Sequence, residues 1–425
     1  MLQANSISTV KTLDRAQHHI VKQPVKQKFL WALITYAVIC SCLALLHVGT
    51  AKPSDSGADS GERTWTTWAI DRFCRLPSAP QVVLLGSSLV LTPINLADAQ
   101  ILGKTLDGSE HHESVYFSQL VKQLTGKRIQ AFNFALPGEM PSDAFLITKL
   151  LLKGPKRPSV IVYGVGPRDF MDNLLVGPTA TDPYRYLSRL GSHIPDPAFT
   201  GNRWDQKVDG FFSRAIYLYG NREDLATRFD YTFKKFVSEQ IPPDLQDHQL
   251  NSGQLHILFP LYHPMSIAPG ECVFRPMTEQ TGPRFKDNLE EYRRRYGTLN
   301  WETFLGQLKF LADFLDLARK QHTEAVIVSM PITTVNRSLI PPLAWDAYKH
   351  SLRVITVSKG ARFVDLDESK QFTDSDFGDT VHLNTVGGIK LVQLIVANVL
   401  QKDCLKSADE TVGQASPKRN LGADL

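Results

Sequence analysis

Five short runs limit what this chain can fold into more than any other feature. Residues 81–86 (QVVLLG), 129–134 (IQAFNF), 159–165 (SVIVYGV), 324–330 (EAVIVSM) and 361–366 (ARFVDL) are short and nearly continuous in apolar residues. Continuous rather than alternating apolarity marks strands buried on both faces, as in a parallel sheet covered by its own crossovers. Segments with apolar residues at helical spacing lie between them. SVYFSQLVKQL precedes the second run, PSDAFLITKLLLKG the third and NWETFLGQLKFLADFLDLARKQ the fourth. This alternation predicts an α/β fold, a three-layer sandwich around a five-stranded parallel sheet. Between the third and fourth runs the chain is far longer than one crossover requires. The surplus, at about residues 171–300, predicts an insertion that forms a cap or side lobe.

The flanks bear on compartment. Residues 29–48 (FLWALITYAVICSCLALLHV) contain no Asp, Glu, Lys or Arg, and at about 1.5 Å per residue they reach roughly 30 Å, the thickness of a hydrocarbon core. They predict one membrane-spanning helix. Lys11, Arg15, Lys22, Lys26 and Lys28 precede the run against Asp14 alone, whereas Asp55, Asp59 and Glu62 follow it. The positive-inside rule then places residues 1–28 in the cytoplasm and the remainder on the far, periplasmic side. A cleaved signal peptide would have a shorter apolar region, and a lipoprotein acceptor cysteine would be followed by polar sequence. Here the apolar run continues past Cys42. Residues 49–64, rich in Ser, Gly, Asp and Pro, read as a stalk, 65–402 as the folded domain and 403–425 as a flexible tail.

Composition excludes several other classes. With 43% hydrophobic and 21% charged residues, a chain of 425 can bury a large core. A net charge of +4, spread without a basic stripe, argues against nucleic acid as a partner. Cys40 and Cys42 lie inside the apolar run. Cys74, Cys272 and Cys404 have no metal-like spacing, so at most one disulfide and no zinc site is expected. The His pairs at 18–19 and 111–112 lack a third ligand, so no metal and no cofactor is expected. EEYRRRY (290–296) reads as a solvated helix face, and His256 and His263 as core or loop residues. The aromatic stretches FDYTFKKF and WETF read as packing or as the lining of a groove.

In open α/β sheets, ligands bind beyond the carboxyl ends of the strands. The first run ends there in GSSL, residues 86–89, which resembles the GDSL signature of the SGNH hydrolases. The resemblance implies an SGNH- or flavodoxin-like sheet and makes Ser88 the nucleophile, with Ser87 in place of the usual Asp. GSS in this position also resembles the membrane-anchored branch that handles acyl groups on envelope polymers, including D-alanyl transferases. A serine hydroxyl needs a base and a group to orient that base. GDTVHLNTVGG, residues 378–388, places Asp379 and His382 as D-x-x-H, the family's spacing, so His382 would take the Ser88 proton and Asp379 would hold the imidazole.

NFALPG, residues 133–138, resembles the block whose glycine, here Gly138, gives an oxyanion N–H, with the Ser88 N–H as a second donor. The third block departs from the pattern. Where the family has Asn in a G-x-N-D context, this chain has YGVGPRDF, with Arg168 before Asp169. Arg168 can face the site as an oxyanion donor or as a substrate-binding residue together with Asp169, or it can pair with an acid and leave the hole one donor short.

The resemblance thus implies a membrane-anchored enzyme that hydrolyses or transfers acyl groups, O-acetyl above all, on an extracytoplasmic glycan or envelope polymer. For transfer, the resemblance implies a membrane-bound acyl-donor protein as partner. A catalytically inactive polymer-binding or assembly protein on the same scaffold is the alternative.

Overall fold

A computed structural model of the full chain describes residues 25–46, 64–175, 181–190, 288–368 and 370–400, with short pieces at 208, 211–212, 216–220, 236, 269–270 and 272–276. Residues 49–63 of the stalk, the tail, His18, His19, His256 and His263 lie outside the described residues.

Each of the five apolar runs forms a strand: β1 (Val82–Gly86), β3 (Ala131–Asn133), β4 (Val160–Val165), β6 (Glu324–Ser329) and β7 (Arg362–Asp365). They make one parallel sheet in the order β3-β1-β4-β6-β7. Taken as first to fifth strands, this is the doubly wound order 2-1-3-4-5, whose direction of growth reverses between β1 and β4. Every residue of β1 and β4 is buried. That burial explains their uninterrupted Val, Ile and Leu, since helices cover both sides of a central parallel strand.

Two groups of helices supply the cover. On one side α3 (Ser88–Leu102), α4 (Val115–Thr125) and α13 (Thr385–Leu400) pack on each other. On the other, α5 (Pro141–Leu150) packs on α10 (Trp301–Lys320), which also meets α12 (Pro342–Ser358) and the short α6 (Arg168–Met171). The predicted α/β sheet with helices between its strands is what the chain forms. A two-stranded antiparallel ribbon, β2 (Leu106–Asp107) with β5 (Val273–Phe274), ties part of the long insertion to the loop after α3. The insertion also contributes α7 (Asp182–Leu190), α8 (Tyr217–Gly220) and α9 (Leu289–Tyr296).

The described residues fall into two compact units: Met1–Lys52 with Asp205–Leu225, and Pro53–Trp204 with Ala226–Leu425. In the first, α1 (Val25–Leu46) packs against α8. A helix therefore forms across the predicted apolar run, and Phe29, Leu30, Trp31, Leu33, Ile34, Val38 and Ile39 are exposed along it. Among the described residues, however, no helix is long and apolar enough to cross a membrane. Cys42 and Cys74 form no disulfide.

Candidate active site

The two serines of GSSL part company at the end of β1. Gly86 sits at a φ of 144° and pairs across the sheet with Gly164 of β4. A Cβ on Gly86 would lie 2.5 Å from the Val90 side chain and 2.6 Å from the Gly164 carbonyl. The missing side chains let α3 turn off the strand and press Val90 against the sheet at the point where its winding reverses. Ser87 caps α3 in extended conformation but makes no capping bond with its side chain. Its hydroxyl is buried and donates to Asp169 Oδ2 at 3.4 Å. Ser88, the first residue of the helix, keeps partial exposure. As the first N–H of the helix, that of Ser88 has no backbone acceptor among the described residues. It stays available at the positive end of the α3 dipole.

Ser88 meets its partners from the far end of the chain. His382 Nε2 lies 2.8 Å from Ser88 Oγ, and His382 Nδ1 lies 2.7 Å from Asp379 Oδ2. The other carboxylate oxygen, Asp379 Oδ1, accepts from the N–H groups of Val381 at 2.8 Å and His382 at 2.7 Å. Burial alone would raise the Asp379 carboxyl. The His382 side chain and these N–H groups outweigh it and hold the acid below its ordinary range. The loop is braced from both sides. Thr333, after β6, bonds the Thr380 carbonyl through its hydroxyl at 2.8 Å. Asn384 donates to the Ser375 carbonyl at 2.7 Å and accepts from the Gly387 N–H at 3.0 Å. A Cβ on Gly388 would fall 2.4 Å from the Pro93 carbonyl. That close approach seats α13 on α3 and brings His382 over Ser88.

The second block docks on the first. Leu136 N–H donates to the Gly86 carbonyl at 2.9 Å and Phe134 N–H to the Leu84 carbonyl at 2.8 Å. This places Gly138, at a φ of 80°, beside the nucleophile loop. The Gly138 N–H has no backbone acceptor among the described residues. The Arg168 Nη2 atom lies 3.3 Å from where a Gly138 Cβ would be, so the guanidinium borders the same loop.

Arg168 is engaged by two acids and also borders the Gly138 loop. Its Nε donates to Asp172 at 3.0 Å and its Nη1 lies 3.5 Å from Asp169. Paired this way it still borders the Gly138 loop. Asp169 is fully buried, and burial pushes it up to about 6 against the pull of Arg168, the Gly166 N–H at 2.8 Å and Ser87. Asp169 Oδ2 is taken by Ser87 and Gly166, and the buried Oδ1 faces Arg168 Nη1 at 3.5 Å without a hydrogen bond. Asp169 links the first block to the third.

Four residues of this region were not singled out by the sequence. Glu139, fully buried, accepts from the Leu136 N–H at 3.2 Å, and burial raises it well above the carboxylate range. Asp172 joins Arg168 to Arg295, which it also pairs. Tyr292 and Arg295 lie on α9, where EEYRRRY departs from the expected solvated face. Tyr292 is 8% and Tyr296 2% exposed, and Arg295 is turned inward onto Asp172. The signals were spacing alone: Asp172 follows Arg168 by four, and 292, 295 and 296 share one helix face. His111 and His112 are structural. His111 Nε2 is 2.8 Å from Asp98, which caps α4, and His112 Nδ1 is 3.2 Å from the Asn133 carbonyl. No group of three potential metal ligands occurs among the described residues.

No protein-family model matches this chain, and no curated protein matches it.

Chemically, the arrangement has the parts of acyl transfer. A hydroxyl touches an imidazole, a carboxylate fixes the ring, and two unengaged N–H groups and a guanidinium border the hydroxyl's loop.

Proposed function

We propose that this chain is a serine hydrolase or acyltransferase of the SGNH type. Its proposed substrates are acyl esters, O-acetyl first among them, on an extracytoplasmic glycan or envelope polymer. The observation that carries the reading is the unbroken contact from Ser88 Oγ through His382 to Asp379, at 2.8 and 2.7 Å. His382 takes the Ser88 proton as the oxygen attacks the ester carbonyl. The oxyanion is stabilised by the Ser88 and Gly138 N–H groups and the Arg168 guanidinium, and the alcohol leaves with the proton from His382. The acyl-serine is then attacked by water, giving hydrolysis, or by an acceptor hydroxyl, giving transfer, with His382 again as base. Transfer would draw its acyl group from a membrane-bound donor protein.

The compartment is part of the same proposal. The uncharged run 29–48, helical as far as Leu46 with Phe29, Leu30, Trp31, Leu33, Ile34, Val38 and Ile39 exposed, and the basic flank before it support a single-pass anchor with the N-terminus in the cytoplasm. A reporter fused after Leu425 should then behave as exported, and a cytoplasmic reporter would overturn the location and the substrate class.

The chemistry is tested by a fluorophosphonate on the full chain in detergent. The wild type should be labelled at Ser88, Ser88→Ala and His382→Ala should not be labelled, and Ser87→Ala should retain most labelling because its hydroxyl faces Asp169. An unlabelled wild type would favour an inactive polymer-binding protein, a reading for which the engagement of Arg168 by Asp169 and Asp172 speaks.

A further inference from the structure

Helix α9 closes a gap between the two halves of the site. At its start, Asn288 Oδ1 accepts from the Thr380 hydroxyl at 2.6 Å, and Thr380 follows Asp379 directly. At its end, Arg295 pairs with Asp172, which holds Arg168 through Nε, and the Arg295 carbonyl accepts from the Asn173 N–H at 3.0 Å. One end of the helix is thus fastened to the Asp–His loop and the other to the arginine block. Asn288, Tyr292, Arg295 and Tyr296, at i, i+4, i+7 and i+8, form the face turned inward. Glu290 and Arg293 pair with each other on the outer face.

Tyr292 lies midway along the inward face, its ring 5.6 Å from that of Tyr296. Its hydroxyl makes no hydrogen bond among the described residues, and it is not among the sealed, unbonded oxygens such as that of Tyr163. Burial pushes its pKa up and keeps the phenol protonated, and the charges of Arg168, Asp379 and Asp169 all act on it. These are the groups around Ser88. An unengaged phenolic donor that still reaches solvent, held between the carboxylate and guanidinium flanks of a nucleophile, is placed to meet a bound molecule.

We propose that Tyr292 contacts the substrate, its hydroxyl donating to an oxygen of the bound ester. This rests on the serine-ester reading above. The insertion then completes the substrate side of the site, and the triad blocks supply the chemistry.

The test uses the full chain in detergent with 4-nitrophenyl acetate and with fluorophosphonate. Tyr292→Phe keeps the ring and its packing on Tyr296 and removes only the donor. It should raise KM roughly three- to tenfold with kcat within about twofold, with labelling of Ser88 and the melting temperature unchanged. Arg293→Ala, on the outer face of the same helix, should leave both constants as in the wild type. Unaltered KM in Tyr292→Phe, with a wild type that turns over and labels, overturns the role of Tyr292 and leaves the hydrolase intact. An equal loss in Arg293→Ala would assign the effect to the helix rather than the hydroxyl and also overturn it. A wild type that neither turns over nor labels removes the hydrolase and this inference together.

Discussion

Asp379 shows how much of the site's chemistry depends on one pair of oxygens. Oδ1 takes two backbone N–H groups and shapes the loop, and Oδ2 takes the imidazole. Asp379→Asn can keep the first task with its amide oxygen. Its NH2 group would then face His382 Nδ1 and force that nitrogen to accept. Nε2 would carry the proton and could not receive one from Ser88. Turnover of 4-nitrophenyl acetate should fall about 10³- to 10⁴-fold, with the far-ultraviolet circular dichroism as in the wild type. Ser88, His382 and Asp379 were legible because D-x-x-H after the last strand and a serine after the first are local patterns. Arg168 was legible only as a departure. Its simultaneous attachment to Asp169, Asp172 and the Gly138 loop needs the third dimension, because Gly138 and Arg168 are brought together only by the pairing of β1 with both β3 and β4.

At the scale of elements, the strands were legible and the seating of α9, within the insertion, was not. Val82–Gly86, Val160–Val165 and Glu324–Ser329 lie in the sheet's interior, where burial on both faces leaves an unmistakable apolar run. Helix α9 has only two buried aromatic side chains among charges, so its sequence resembles a solvated face until Asp172 and Thr380 are seen to claim its ends. The junction of β1 and α3 carries its own prediction. Gly86→Ala would put a methyl group 2.5 Å from Val90 and 2.6 Å from the Gly164 carbonyl at a φ that side chains rarely adopt. Overpacking of this kind costs about 1–3 kcal/mol, with backbone strain added. Chemical denaturation should show that loss, and Ser88 should label more slowly because the helix start is displaced. Wild-type stability in Gly86→Ala would mean that α3 can shift without harm and that the glycine is not what fixes the nucleophile.

Across the whole α/β unit, the response to pH follows from acids buried beneath the site. Asp143 is fully buried at the start of α5, where Oδ2 accepts from the Met140 N–H at 2.7 Å and Oδ1 from the Thr181 hydroxyl at 2.6 Å. Burial pushes it up to about 7 even so, while Asp169 stands at about 6. Unfolded, both would titrate near the ordinary value of about 4. Between these limits the folded protein binds more protons than the unfolded one, so the stability these groups contribute is full below about pH 4. It is lost as pH rises through about 6 for Asp169 and about 7 for Asp143. Asp379 acts in the opposite sense: its lowered value adds stability that is present above about pH 4 and is lost only as pH falls through the folded value. Urea unfolding between pH 4 and 8 should therefore show the midpoint falling as pH rises. Asp143→Asn, which keeps an acceptor for Met140 and cannot ionise, should flatten the fall between about pH 4 and 7. An unchanged slope in Asp143→Asn would show that this carboxyl ionises as freely in the folded protein as in the unfolded chain. Water would then have to reach the underside of the site, where the fold now seals it.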